Sequence, residues 1–252
     1  MSARASTQAI YMRTRHHWHV NWRMLWYWFL VIISAVLVAS VLVQLQKPDT
    51  LPIRKIHALG TFEHINEDTL RSVVGQTLKG GYFTVNVDEV QHAVTALPWI
   101  AQASVRRVWP DTLAINVTEQ KAIAMWAKGG LVNQQGVLFK PEVITFPNNL
   151  PVLDGPAGME RNLAEYYRMA QQVIEPLELQ IHQLRMDSRH AIRLYLSNGI
   201  EVILGRESTQ GRLQRFARVY TRVLAVRAAE IERVDMRYSN GLSVGWRKQK
   251  SG

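Results

Sequence analysis

The sequence predicts an α+β protein with a single N-terminal transmembrane helix and two further units. The first reads β-α-α-β-β; the second is mixed α/β, with a mainly antiparallel sheet ending in an edge strand. Three observations carry this reading. An uncharged apolar run from Met24 to Val43 follows a basic tail. Segments that alternate apolar and polar residues are interleaved downstream with segments of helical period. Asn198-Gly199 lies between two alternating runs, the strongest short-range hairpin signal. The expected boundaries are a basic cytoplasmic tail at 1–23, the membrane helix at 24–43, a linker at 44–50, the first unit at 51–119, the second at 120–248 and a tail at 249–252.

Met24–Val43 is 20 residues without a charge, with Ser34 and Ser40 its only clearly polar members. As a helix it reaches about 30 Å, the thickness of a bilayer's hydrocarbon core. Trp18, Trp22, Trp26, Tyr27 and Trp28 gather at one end, as an interfacial aromatic belt does. Arg4, Arg13, Arg15 and Arg23 precede the run, and the first acidic residue is Asp49. That asymmetry predicts a cytoplasmic N-terminus, although Lys47, Arg54 and Lys55 reduce it. A cleaved signal peptide is the competing reading, with Val38-Ala39-Ser40 as its cleavage site. Signal h-regions run about 7–15 residues, and this one is longer and rich in Trp. A core helix of a soluble protein would not carry 20 uncharged residues. His16, His17 and His19 are read as interfacial positive charge beside the membrane, with metal binding as the alternative.

Pro48 ends the helix and Gln44–Thr50 links it to the first unit. There, Pro52–Leu59 is a strand closed by Gly60. Asn66 caps a helix through Val74, with Glu67 and Asp68 in its first turn. Gly80-Gly81 breaks the chain, Asp88 caps a second helix carrying Val90, Val94 and Leu97, and Pro98 stops it. Ile100–Trp109 and Leu113–Val117 alternate on either side of a Pro110-Asp111-Thr112 turn. Trp99 is expected to fill the core where the second helix meets the sheet.

In the second unit, Ala122–Trp126, Leu131–Asn133 and Val137–Phe139 read as short strands and Met159–Leu177 as a helix. Ile192–Leu196 and Ile200–Leu204 flank the Asn198-Gly199 turn. Gln210–Ala228 reads as a helix with Leu213, Phe216, Ala217, Tyr220, Val223 and Leu224 on one side. Arg212, Arg215, Arg218 and Arg222 lie on the other, read as a solvated face, with an acidic protein or lipid patch as the alternative. Ile231–Tyr238 and Leu242–Trp246 form a final pair around Ser239-Asn240-Gly241.

Composition narrows the chemistry. The absence of cysteine removes disulfides and thiolate metal sites, and the net charge of +10 points to acidic partners. There is no Ser-x-x-Lys pair, phosphate loop or His-Glu-x-x-His helix. His57, His64, His92, His182 and His190 are not spaced as paired metal ligands. Glu119, Glu142, Asp154 and Glu201 could be weighed as a glycan-cleaving pair, but nothing singles them out. No catalytic residue, metal or cofactor is therefore expected, and the arginine face does not predict nucleic-acid binding. The last strand invites a partner chain, because an exposed edge offers unpaired main-chain groups. Gly241 and Gly245 permit close approach, and Tyr238 and Trp246 are anchor-type side chains. On physical grounds alone, packing of Trp246 onto the core is an equal alternative.

The stretch Leu97-Pro98-Trp99-Ile100 followed by Ala103-Ser104-Val105-Arg106-Arg107-Val108-Trp109-Pro110-Asp111-Thr112-Leu113 resembles the signature of a POTRA domain of the FtsQ/DivIB cell-division type. Val234-Asp235-Met236-Arg237-Tyr238 through Gly241 and Val244-Gly245-Trp246 is similar to the segment on which that family ends, so the likeness covers nearly all of the chain after the membrane run. It implies a β-α-α-β-β POTRA unit and a β domain whose edge strand accepts a strand from FtsB, itself paired with FtsL. The contact positions it implies are Arg237, Tyr238, Asn240, Gly241 and Trp246, with Arg189 as an auxiliary charge for an acidic partner residue. The function implied is a non-enzymatic divisome scaffold, single-pass in the inner membrane at the septum, with a periplasmic C-terminal part. It would link the cytoplasmic division ring to septal peptidoglycan synthesis. The Thr61-Phe62-Glu63-His64 turn is not assigned to the POTRA surface through which that family is recruited, and that surface stays open. The alternative is a POTRA-bearing component of protein export or outer-membrane assembly, a reading that a single transmembrane helix disfavours.

Overall fold

The structure is a computed structural model describing residues 22–45 and 51–248. Most of the basic tail, most of the expected linker and the 249–252 tail lie outside these residues. Helix α1 runs from Trp22 to Leu45, longer than expected by two residues at each end. At 24 residues it spans about 36 Å. It is apolar all round, and none of it is buried against the rest of the chain. A long helix that is apolar on every side has hydrocarbon as its natural solvent.

The first unit holds β1 (Lys55–Leu59), α2 (Glu67–Thr77), α3 (Val87–Thr95), β2 (Ile100–Val108) and β3 (Thr112–Glu119), in the expected order. β3 is the central strand, parallel to β1 and antiparallel to β2. Leu70 and Val74 of α2, Val90 and Val94 of α3, and Leu113 and Ile115 of β3 form its core. Asn66 caps α2, its Oδ1 accepting from the Asp68 amide at 3.1 Å. The cap of α3 is not Asp88. Asn86 accepts from the Asp88 and Glu89 amides at 3.1 and 3.3 Å, and Asp88 occupies the first turn. Both residue types cap well, and Val87 between them left the start open by two positions.

Trp99 is also not where it was expected. Its ring stacks on His64 at 3.8 Å and 10° and meets Phe139 edge-on at 5.2 Å. Its Nε1 donates to Thr145 Oγ1 at 2.9 Å. With Leu131 and Phe139 it makes a third, separate core at the joint between the two units. The Phe62–Ile65 turn feeds this joint: Glu119 accepts from the amides of Glu63, His64 and Ile65 and bonds His64 Nδ1 at 3.2 Å. The turn thus braces the residue that makes the joint, since His64 stacks on Trp99.

The second unit is a nine-stranded sheet. β4 (Ala122–Trp126), β5 (Leu131–Asn133), β6 (Leu138–Phe139), β9 (Ile192–Leu196) and β10 (Glu201–Gly205) fall on expected segments, joined by β7 (Val152–Asp154) and β8 (Ile181–Met186). β11 (Ile231–Asp235) and β12 (Ser243–Trp246) complete it, in the order β12-β11-β10-β9-β8-β7-β4-β5-β6. Five of the eight pairings are antiparallel. Helices α4 (Glu160–Ile174) and α5 (Thr209–Val219) cover one face, burying Leu163, Ile174, Leu213 and Phe216 against Leu184, Leu194 and Val202. Both are shorter than expected. α4 passes into a 3-10 turn at Glu175–Leu177, and α5 into a wider turn over Tyr220–Leu224 and a 3-10 stretch to Glu230. Val223, expected on the apolar side, is 63% exposed. The other face carries charge pairs across strands, Asp154 with Arg185 and Glu201 with Arg193, each at 3.1 Å.

Removing the α3 cap with Asn86→Ala should cost about 1 kcal/mol, the usual worth of such a side chain, and Asp88→Ala only a few tenths. Chemical denaturation of both variants measures the difference.

Candidate partner-binding edge

β12 ends the sheet. Among the described residues it pairs with β11 alone, antiparallel, with Asp235 opposite Ser243 and Val234 opposite Val244. The residue after it turns back toward β11, since the Arg247 amide donates to Glu230 O at 2.7 Å. Main-chain directions alternate along a strand, so the amides of Val244 and Trp246 face outward. β12 buries little: Val244 and the preceding Leu242 are half-buried and pack on the core.

So slight a strand is held by arginines at both ends. Arg215, on α5, reaches three carbonyls of the segment between β11 and β12. Its Nη1 donates to Ser239 O at 2.5 Å, and Nη2 to Met236 O at 3.0 Å and Tyr238 O at 2.7 Å. At the other end, Arg247 donates from Nε to Ile231 O at 3.1 Å and from Nη2 to Asn198 O at 3.0 Å. Arg212 donates to Leu204 O at 2.7 Å. The expected solvated arginine face is therefore only half so. Arg218 and Arg222 are exposed, whereas Arg212 and Arg215 flank the apolar stripe and bend onto the sheet's end. Gly205 makes room there. Its φ is +75°, and a Cβ would stand 3.0 Å from Arg212 Nη1 and 3.1 Å from Arg237 Cγ.

Arg237 is exposed but engaged. Its Nε and Nη2 grip Asp235 at 2.9 and 2.6 Å. That side-chain hydrogen bond holds the Asp235 carboxyl below the ordinary aspartate range and raises the guanidinium. Tyr238 and Trp246 are 57% and 45% exposed, so neither belongs to the core. The Trp246 ring carries Arg227 over one face at 4.2 Å, a cation–π contact. Asn240 and Gly241 are exposed, and no atom lies within 4 Å of where a Gly241 Cβ would be. Gly245 is different. Arg233 Cγ would be 2.8 Å from a Cβ there, so its missing side chain is filled from within the sheet.

Arg189 is not on a strand. It lies in the turn between β8 and β9, exposed, its amide donating to Asp187 Oδ1 at 2.8 Å. The register puts that turn at the same end of the sheet as the 236–242 segment. It is three strands in from β12, roughly 14 Å across. Arg237, Tyr238, Asn240 and Gly241 therefore lie together, Trp246 at the far end of β12, and Arg189 to one side. Arg215 and Arg247 were not singled out as the supports of this edge. Their only sequence signal is position: one borders an apolar helix stripe, the other follows the last strand.

Three of the four carboxylates weighed for glycan cleavage have structural partners. Glu119 holds the 63–65 turn, Asp154 meets Arg185, and Glu201 meets Arg193 and Tyr195; Glu142 is exposed. Among the described residues no group of three or more His, Asp or Glu is placed to hold a metal.

Comparison with known proteins follows the same division of the chain. Residues 51–120 match the FtsQ-type POTRA domain, and residues 124–237 match the C-terminal domain of cell division protein FtsQ/DivIB. The chain is 34% identical to Cell division protein FtsQ of Coxiella burnetii over 86% of its length and 90% of that protein's. The FtsQ of Xanthomonas campestris is 33% identical over 88% and 80%, and that of Shewanella oneidensis 34% over 92% of each. Two matched domains in sequence and relatives aligned over most of both chains place the protein in the FtsQ/DivIB family of cell-division proteins.

Proposed function

We propose that this division protein is a non-enzymatic divisome scaffold whose β12 edge accepts a strand from FtsB, itself paired with FtsL. One observation supports this above the others: the chain's last strand closes a nine-stranded sheet with a single neighbour, and exposed aromatics flank it. Strand addition would draw affinity from the outward amides and specificity from Tyr238 and Trp246. Arg237, Asn240 and Gly241 would line the partner's path. Arg189 would meet an acidic residue where the partner continues past the strand, across the sheet's end. Arg237 would have to share its guanidinium with Asp235, so it would orient a partner more than attract one.

In this reading α1 crosses the inner membrane once, with the N-terminus cytoplasmic and the two later units periplasmic at the septum. The POTRA unit, 51–119, receives upstream division proteins, and the β unit, 120–248, holds FtsB and FtsL. The scaffold thereby couples the cytoplasmic ring to septal peptidoglycan synthesis without cofactor or catalysis.

Tyr238→Ala with Trp246→Ala should weaken binding to the FtsB–FtsL pair at least a hundredfold, two aromatic hot spots at about 2 kcal/mol each. The circular dichroism spectrum should not change; unaltered affinity would remove the reading. Val244→Pro deletes an outward donor at an edge, where proline is tolerated, and should abolish capture while leaving the β11 pairing intact. Arg215→Lys keeps the charge and loses the fork. It should cost about tenfold in affinity through a looser 236–239 segment, with no edge residue altered. Titration calorimetry of the full chain with the partner pair reads all three.

A further inference from the structure

Tyr82, Phe83 and Trp109 form an exposed aromatic cluster that the partner edge does not use. Tyr82 meets Phe83 edge-on at 5.2 Å and Trp109 at 5.5 Å, and the Phe83 and Trp109 centroids are 6.4 Å apart. Trp109 is 64% exposed and Phe83 47%. A hairpin turn at Trp109-Pro110-Asp111 needs proline and aspartate, but it gives no reason for a tryptophan held out in water.

The position of the cluster supplies the reason. The Tyr82 amide donates to Leu51 O at 2.8 Å, and the Arg54 and Lys55 amides donate to Asp111 O at 2.9 and 3.3 Å. Residues 51–55, where the chain comes from α1, therefore lie against both the aromatic loop and the β2–β3 tip. α1 ends at Leu45, and six residue steps to Leu51 extend no more than about 20 Å. The tether thus confines this pole to the neighbourhood of whatever layer surrounds the end of α1. Arg54 and Lys55 are exposed beside it. Tryptophan and tyrosine favour the membrane–water interface, and lysine and arginine favour anionic headgroups.

We propose that this pole of the POTRA unit is a lipid-docking surface. Trp109 and Phe83 enter the headgroup layer of the bilayer that α1 crosses, and Arg54 and Lys55 lie on anionic phospholipid. The proposal rests on α1 spanning that bilayer and is independent of the β12 edge. Docking would set the POTRA sheet upright on the membrane and remove the freedom that a short tether alone leaves.

The test uses the full chain in nanodiscs of phosphatidylglycerol and phosphatidylethanolamine. The chain has no cysteine, so a nitrobenzoxadiazole probe goes in through Phe83→Cys alone, and through Gln214→Cys on α5 as the distant control. Lipids carrying nitroxide near the headgroup should quench the probe at 83 and not the probe at 214. Trp109→Glu should abolish that quenching. Arg54→Gln and Lys55→Gln should each lower the docked-to-free ratio about fivefold in anionic discs, and neither should change it in phosphatidylcholine discs. Equal quenching at 83 and 214 overturns the proposal. So does quenching at 83 that appears only when a second membrane protein is added, which would assign the surface to a protein. Retention of the chain by the discs reports on α1 separately, so failure of docking is not confused with failure of the membrane anchor.

Discussion

The Arg215 guanidinium fixes the geometry on which the partner edge depends. The 236–242 segment has seven residues, and only Met236 and Leu242 turn toward the core. Burial of that size offsets little of the roughly 1–2 kcal/mol of backbone entropy lost per ordered residue. Three hydrogen bonds from a charged donor brace the segment: the partly buried one, to Met236 O, contributes about 1.5–3 kcal/mol net, and the two exposed ones contribute less. The exposed Arg227–Glu230 pair nearby contributes much less, because both partners remain in water. With Arg247 fastening the other end, β12 is a strand before any partner arrives. An incoming chain then orders only itself.

How far this was legible in the sequence depended on whether a signal was local. Asn198-Gly199 between alternating runs gave the β9–β10 hairpin, and β4, β5 and β9 fell on their expected limits because their turns carry glycine or asparagine. β8 was missed because its buried residues, Ile181 and Leu184, are three apart. The register slips between Ile181 and Gln183, and that irregularity breaks the period of two that reveals a strand. β7 has three residues, too few for any period to show. Trp99 and Arg215 were misjudged for another reason. Each has an ordinary local setting, and what decides its role is a surface brought to it from 40 or 20 residues away. Periodicity shows which side of a helix is apolar, not what lies over its border. The exposed edge of β12 was legible from its place at the end of the chain, and its supports were not.

Placing Trp99 in the joint changes what the POTRA unit does mechanically. An aromatic stack, a tryptophan hydrogen bond and the Glu119 cap cross or brace the boundary, so the two units share a packed seam and not just a connecting strand. Gln120 extends the seam with a polar bond, accepting from the buried Asn133 amide at 2.7 Å. A seam of this kind transmits orientation. Turning the POTRA unit on the membrane would turn the partner edge with it.

The POTRA sheet has its two ends put to different uses. The start of β1 and the β2–β3 tip form the pole next to Leu51, while the end of β3 and the start of β2 run into the Trp99 joint. β2, with nine residues, measures about 30 Å between them. On a membrane-docked POTRA unit the β domain would begin some 30 Å above the lipid. A partner anchored in the same bilayer would then need a spacer of about 20 helical residues before any segment could pair with β12. A partner whose strand lay nearer its own membrane helix would be excluded by distance, whatever its sequence. On the two proposals together, the aromatic pole and the terminal edge would act on one selection: the pole would set the height, and the edge would accept what arrived there.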